Sequence, residues 1–386
     1  MTRVFFPFHQ PDLGDEEVKA VEEVLRSGWL TTGTKTKQFE ADFAKFLGVR
    51  HSVAVNSCTA ALHLALDAIG IKEGDEVIVP TMTFAATAEV VLYFKARPIL
   101  VDCRADTLNM DPIQIERLIT SKTRAIIPVH FGGQACEMDQ IMEISRKYHL
   151  KVIEDAAHAF PADYKGKMIG TIGDITCFSF YATKTITTGE GGMITTENEE
   201  YADRIRVMSL HGISRDAWRR YTEKGSWYYE ILRPGYKYNL TDIAAAIGLE
   251  QLKKSDRFWD ARRRIATLYN ESFADMPELR IPDSLPDRKH AWHLYVIRLV
   301  PERLKIDRGA FIEELTREGI GTSVHFIPLH LHPYYRDAFG YRRGNFPKAE
   351  AAFEEIISLP IYSLMAEEDA QRVIQTIRGV IERNRR

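Results

Sequence analysis

Residues 51–80 read HSVAVNSCTAALHLALDAIGIKEGDEVIVP. HSVAV (51–55) is apolar and β-branched, so it predicts a strand. TAALHLALDAIG (59–70) is rich in alanine and leucine and ends at a glycine, so it predicts a helix. EVIVP (76–80) is strand-like again. The rhythm then repeats. ATAEVVLYFKA (86–96), PIQIERLIT (112–120) and DQIMEISRKYH (139–149) predict helices, and PILVD (98–102), AIIPVH (125–130) and KVIED (151–155) predict strands. Strands rich in valine and isoleucine that alternate with helices build a mostly parallel sheet, buried on both faces. In such a sheet, ligands bind beyond the carboxyl ends of the strands. The strand exits are therefore where functional residues are expected.

The pattern extends in both directions. Val18, Val21, Val24 and Leu25 predict a helix over Asp15–Arg26, with Asp15 as its cap and Gly28 as its stop. A second helix is expected over Thr36–Phe46. Downstream, TCFSF (176–180) and MITTE (193–197) predict strands, and EEYADRIRVMSLHG (199–212) a helix. Residues 213–238 are expected to form a long loop. TDIAAAIGLEQLKK (241–254) opens a helix expected to continue through Arg262 to Phe273. Pro277, Pro282 and Pro286 mark a linker over 275–287. Beyond it the expected order is strand (291–299), helix (309–319), strand (321–326) and two helices. The expected organisation is an α/β domain over residues 1–254 and a smaller C-terminal α+β domain over 255–386.

Composition bounds the function. Apolar residues make up 45% of the chain and charged residues 27%, which is the balance of a soluble globular protein. A net charge of −3 gives no basic excess for binding nucleic acid. No apolar run approaches the ~20 residues of a membrane span. Cys58, Cys103, Cys136 and Cys177 form no C-x-x-C pair, which argues against a metal site or a disulfide framework. Free thiols suit a cytoplasmic location.

One strand exit places a lysine in an unusual setting. SFYATKTITTGEGG (179–192) leaves a buried strand, carries Lys184, and then becomes glycine-rich. Asp155 ends the preceding long strand, and small residues follow it. A carboxylate beside a lysine in such a cleft suggests pyridoxal phosphate: the amine forms a Schiff base with the aldehyde, and the carboxylate keeps the ring nitrogen protonated. The plainer alternative is a structural ion pair or an exposed turn lysine. NSCTAALHL (56–64) joins a strand to a helix. Its N-terminus, with Ser57 and Thr59, suits a phosphate, although simple N-capping explains the same residues. Ser179 offers a further hydroxyl. Phe84, in PTMTFAATAE (80–89), suits stacking on a ring, or else the core. His158 suits a supporting role beside Asp155, or else a satisfied polar contact.

Seven ordered blocks then resemble one family: SGWLTTG (27–33), NSCTAALHLAL (56–66), PTMTFAATAE (80–89), VIEDAAHA (152–159), SFYATKTITTGEGG (179–192), GYKYNLTDIAAAIGLEQL (235–252) and VHFIPLH (324–330). Together with HAWHL (290–294), they resemble the DegT/DnrJ/EryC1/StrS sugar aminotransferases, and most closely the subgroup that makes UDP-4-amino-4-deoxy-L-arabinose. The resemblance implies the aspartate-aminotransferase-like fold, type I of the pyridoxal-phosphate-dependent transferases. It matches Lys184 to the Schiff-base lysine and Asp155 to the partner of the ring nitrogen. It matches Cys58, Thr59 and Ser179 to the phosphate site, Phe84 to the stacking position and His158 to a position beside the ring. Asn239 matches an asparagine lent to the phosphate by the neighbouring subunit, which implies a homodimer with shared sites. Thr32, His325 and His330 match positions near the sugar nucleotide. Two departures stand out: Tyr181 replaces a common histidine, which bears on the sugar pocket, and Cys58 replaces an alanine.

The implied reaction moves an amino group from L-glutamate to the keto carbon, C4 by subgroup likeness, of a nucleotide-linked keto sugar, with UDP favoured as the carrier. The alternatives are a C3 aminotransferase acting on a dTDP- or GDP-keto-6-deoxyhexose, a non-catalytic relative that binds pyridoxal phosphate, and an amino-acid aminotransferase of the same fold. The last would need an arginine for the substrate carboxylate, for which Arg233 is the candidate. A histidine in place of Lys184 would mark the dehydrating relatives; the lysine argues against that chemistry.

Overall fold

The computed structural model describes residues 5–214 and 228–386. The expected loop over 213–238 therefore lies partly outside the described residues. The main sheet has seven strands: β1 (His51–Val55), β2 (Glu76–Pro80), β3 (Arg97–Val101), β4 (Thr123–Ile126), β5 (Lys151–Asp155), β8 (Ile175–Ser179) and β9 (Gly192–Thr196). A two-stranded hairpin, β6 (Asp163–Tyr164) and β7 (Lys167–Met168), intervenes. The sheet order is β1-β9-β8-β5-β4-β2-β3. Only β9 runs against its neighbours, and the pairs from β8 to β3 are parallel.

Alternation along each strand builds two cores. Val53, Val55, Val77, Val79, Ile153, Ile175 and Ile194 point to one face. Ala54, Ile78, Val152, Phe178 and Met193 point to the other. Successive side chains leave a strand on opposite sides, so runs such as EVIVP must be apolar throughout to fill both layers. That is why these strands read as continuous apolar segments.

A second, antiparallel sheet contains β10 (Leu279–Arg280), β11 (Tyr295–Leu299) and β12 (Ile356–Leu359). Its core draws on Phe6 and on residues from Ile265 to Ile381. Other residues of this region, Leu294, Val296, Leu329 and Phe346 among them, pack instead into one core of the main sheet.

Several expectations are corrected. Asp15 is the first helical residue and Gly14 is the cap, because Glu17 accepts the Gly14 N–H at 2.8 Å. The helix expected from 241 to 273 is two helices, Asp242–Lys253 and Ser255–Phe273, separated at Lys254. With no glycine or proline there, nothing in the sequence marked the break. The expected linker contains β10. The expected strand 321–326 is irregular, with a single bridge from Ser323 to Ser358. After residue 326, where two helices are expected, the described residues form three, Pro333–Phe339, Pro347–Glu355 and Glu367–Asn384, with β12 between the last two. Among the described residues, no helix is long and apolar enough to cross a membrane.

Candidate active site

The strand exits meet in a cavity of about 470 Å³. Its walls include Cys58, Thr59, Phe84, Asp155, His158, Ser179, Tyr181, Lys184 and His325. The chain supplies these residues from the ends of β1, β2, β5 and β8, and His325 from the C-terminal region.

Asp155 is the last residue of β5 and is buried. Alternation sends its neighbour Glu154 the other way. Glu154 accepts bonds from His130 Nε2 at 3.0 Å, from the Gly173 N–H at 2.8 Å and from the Thr176 hydroxyl at 2.8 Å. His130 Nδ1 accepts the Cys136 N–H, so Nε2 carries the proton given to Glu154. Asp155 faces the cavity. Its Oδ2 accepts the Thr87 hydroxyl at 2.8 Å and its Oδ1 accepts the Ala157 N–H at 3.1 Å. Burial pushes its carboxyl above the usual range, while these two bonds and the nearby Lys184 oppose that push.

Lys184 lies on the turn after β8. Its N–H donates to the Tyr181 carbonyl at 2.9 Å. The following threonines tie the turn down: the Thr187 hydroxyl and the Thr188 N–H both donate to the Phe180 carbonyl, each at 3.0 Å. Gly189 turns the chain at φ +78°. Burial pushes the Lys184 amine down to about 8, although Cys58 and Asp155 pull it up. About one amine in ten is then neutral at pH 7.

One end of the cavity is built for an anion. Ser57 caps the helix Cys58–Ile69 by accepting the Ala60 N–H at 3.1 Å. Capping therefore does occur, and it leaves the first-turn N–H groups of Cys58 and Thr59 at the cavity. β9 passes close behind this turn. A Cβ on Gly192 would lie 2.6 Å from the Ser57 carbonyl carbon and oxygen, and 2.8 Å from the Cys58 nitrogen. Ser179 lies nearby and its hydroxyl accepts the Tyr181 N–H at 3.3 Å.

Aromatic and imidazole rings form the other walls. Phe84 is 63% exposed, so it is no core residue. Its ring centre is 6.1 Å from that of Phe326. His158 accepts the Gly132 N–H on Nδ1 at 3.3 Å and stacks against Phe326 at 5.9 Å. His293 lies 4.4 Å from His158, ring to ring, and His325 Nδ1 bonds the Ser358 hydroxyl at 2.8 Å. Burial and the nearby Lys184 hold all three imidazoles below their usual range, His325 at about 4. The cavity thus presents neutral imidazoles.

Four expected residues lie elsewhere. His330 is buried between the Thr81 hydroxyl on Nδ1, at 2.8 Å, and Glu350 on Nε2, at 2.9 Å. Both ring nitrogens are spent, and it does not line the cavity. Thr32 and Asn239 bond each other, Nδ2 to Oγ1 at 2.8 Å, outside the cavity of their own chain. Arg233 is exposed and also lies outside the cavity. Conversely, Thr87, Glu190, His293 and Phe326 line the walls without having been singled out. No local signal marked Thr87, a threonine in the first turn of a helix. His293 stands in HAWHL (290–294), quoted above only as a likeness.

The donor set fits pyridoxal phosphate: an anion cradle that a Cβ at residue 192 would disturb, a buried carboxylate for a ring nitrogen, and an amine of lowered basicity between them. Comparison with known proteins agrees. The family model described as the DegT/DnrJ/EryC1/StrS aminotransferase family matches residues 11–378. An uncharacterized protein of Methanocaldococcus jannaschii is 54% identical, covering 99% of each chain. The spore coat polysaccharide biosynthesis protein SpsC of Bacillus subtilis is 50% identical, covering 98% of this chain and 97% of its own. Spr1654 of Streptococcus pneumoniae, named as a sugar aminotransferase, has been solved in PMP and PLP forms. Its PMP form superposes with a TM-score of 0.93 at 36% identity, covering 98% of this chain and 99% of its own. The chain therefore belongs to the DegT/DnrJ/EryC1/StrS aminotransferase family and is a sugar aminotransferase whose cofactor is pyridoxal 5′-phosphate.

Proposed function

We propose that this enzyme moves the amino group of L-glutamate to the keto carbon, C4, of a nucleotide-linked keto sugar, with UDP as the carrier. The observation that carries this reading is the cavity in which Lys184 and Asp155 share the walls with the phosphate-type helix start. Among the described residues, its lining holds hydroxyl, imidazole and aromatic groups and no arginine. That set offers hydrogen-bonding partners to the hydroxyls of a sugar ring. SpsC, by its name, serves polysaccharide biosynthesis, which supports the same use for the aminated sugar here.

The roles follow from position. The N–H groups of Cys58 and Thr59, with the hydroxyls of Thr59 and Ser179, would hold the phosphate. Asp155 would partner the ring nitrogen, with Phe84 and His158 as walls for the ring. Tyr181 and His325 border the sugar. When bound, pyridoxal phosphate supplies the aldehyde that carries the amine and a ring that accepts electron density. Lys184 takes the proton from the donor's α-carbon as a neutral amine and later returns one to the sugar carbon as an ammonium. The first product leaves before the sugar enters, which makes the kinetics ping-pong.

Thr32 and Asn239, outside their own cavity, serve the neighbouring site of a homodimer. Exposed Tyr228, Tyr229, Ile231 and Leu232 on the adjoining segment support a second copy there. The chain divides at Lys254: residues 1–254 bind the cofactor, and 255–386 lend His293 and His325. Free cysteines support a cytoplasmic location.

The test is incubation with isotopically labelled glutamate and a panel of nucleotide-linked keto sugars, followed by mass spectrometry. The label should appear on a UDP-linked sugar at C4. Labelling of keto acids alone, with no sugar aminated, would overturn the proposal.

A further inference from the structure

We infer that Thr87, backed by Thr83, is a positioning residue that fixes the Asp155 carboxylate for the cofactor's ring nitrogen. The inference rests on the reading of Asp155 given above. An aspartate's terminal torsion is broad and poorly self-determined. Here both oxygens are held, Oδ2 by the Thr87 hydroxyl at 2.8 Å and Oδ1 by the Ala157 N–H at 3.1 Å. The two holds come from different elements: Ala157 follows β5, whereas Thr87 stands in the first turn of the helix Ala86–Leu92.

A threonine has one hydroxyl proton. Thr87 gives its proton to Asp155, so the 2.7 Å contact between Thr83 and Thr87 must be donated by Thr83. Two hydroxyls thus point in series at one carboxylate, and each donation strengthens the next. Thr83, Thr87 and Asp155 are 2%, 0% and 5% exposed, so bulk water is poorly placed to replace either hydroxyl. Burial works against the charge of Asp155, and the Thr87 bond is the first of the contacts that restore it. A valine at 87 keeps the shape and removes the donor, leaving Oδ2 short of a partner.

The experiment titrates the apoprotein with pyridoxal phosphate and with its 1-deaza analogue, in which carbon replaces the ring nitrogen, following the quench of protein fluorescence. The wild type should bind the natural vitamer more tightly. Thr87→Val should weaken that binding about tenfold, the scale of a lost hydrogen bond to a charge. Binding of the analogue should be unchanged. Thr87→Ser should restore selectivity, and Thr83→Val should lose part of it. Should Thr87→Val fail to fold, Thr83→Val alone decides: unaltered selectivity there overturns the inference. Wild-type selectivity that survives in a folded Thr87→Val, or that serine does not restore, also overturns it. A wild type that binds both ligands alike overturns the reading of Asp155 itself.

Discussion

Lys184 is held in a state that costs the apoprotein stability. Its ordinary pKa of 10.5 is pushed down to about 8. Between those values the unfolded chain carries a proton that the folded chain lacks, so stability rises with pH across that window. Below pH 8 the full penalty applies. Lys184→Met should therefore raise the Tm of the apoprotein at pH 7, and the gain should fade toward pH 10.5; scanning calorimetry across this range checks the sign. The same variant should lose all amino transfer. Asp155→Asn should keep the phosphate contacts and lose about a hundredfold or more in kcat, the scale of a removed electrostatic partner, measured by steady-state transamination. Lys184, Asp155, Phe84 and His158 were legible because each stands at a strand exit, where the topology gathers ligands. His330 was misplaced because its fold neighbours, Thr81 and Glu350, are remote in sequence. No local pattern could reveal that both of its nitrogens were taken. His293 and Thr87 were overlooked because a histidine near an apolar run and a threonine in a helix turn are ordinary in isolation.

At the scale of elements, the site depends on how closely β9 passes the start of the helix Cys58–Ile69. Gly192 permits that approach. Gly192→Ala should force the strand and the turn apart, costing about 1–3 kcal/mol of stability by overpacking. It should weaken pyridoxal phosphate binding more than Thr87→Val does, because the start of the helix Cys58–Ile69 at the cavity moves. Thermal unfolding and apoprotein titration measure the two effects. The elements of the main sheet were readable because buried parallel strands are apolar on both sides and glycines close the helices, as at Gly28, Gly48 and Gly70. The C-terminal region was less readable. Residues 321–326 alternate like a strand, but only Ser323 among them is bridged, and His325 and Phe326 turn to the cavity wall. IISL (356–359) follows a helix without a glycine or proline, so its switch to strand leaves no local mark. Tertiary pairing with β11 decides it.

For the whole molecule, the position of Asn239 makes a quantitative prediction. If each site takes Lys184 from one chain and Asn239 from the other, two defective proteins can complement. Mixing Lys184→Ala with Asn239→Ala, then unfolding and refolding together, should return about a quarter of wild-type activity, because half the dimers are mixed and each has one intact site. Activity that stays at the level of the separate variants would place Asn239 outside the shared site. The most direct measurement concerns the tether itself. The holoenzyme is reduced with borohydride, digested and mapped by mass spectrometry. The account predicts a pyridoxyl phosphate mass on the peptide containing Lys184, absent from Lys184→Ala. A label on any other lysine, with residue 184 unmodified, would contradict it.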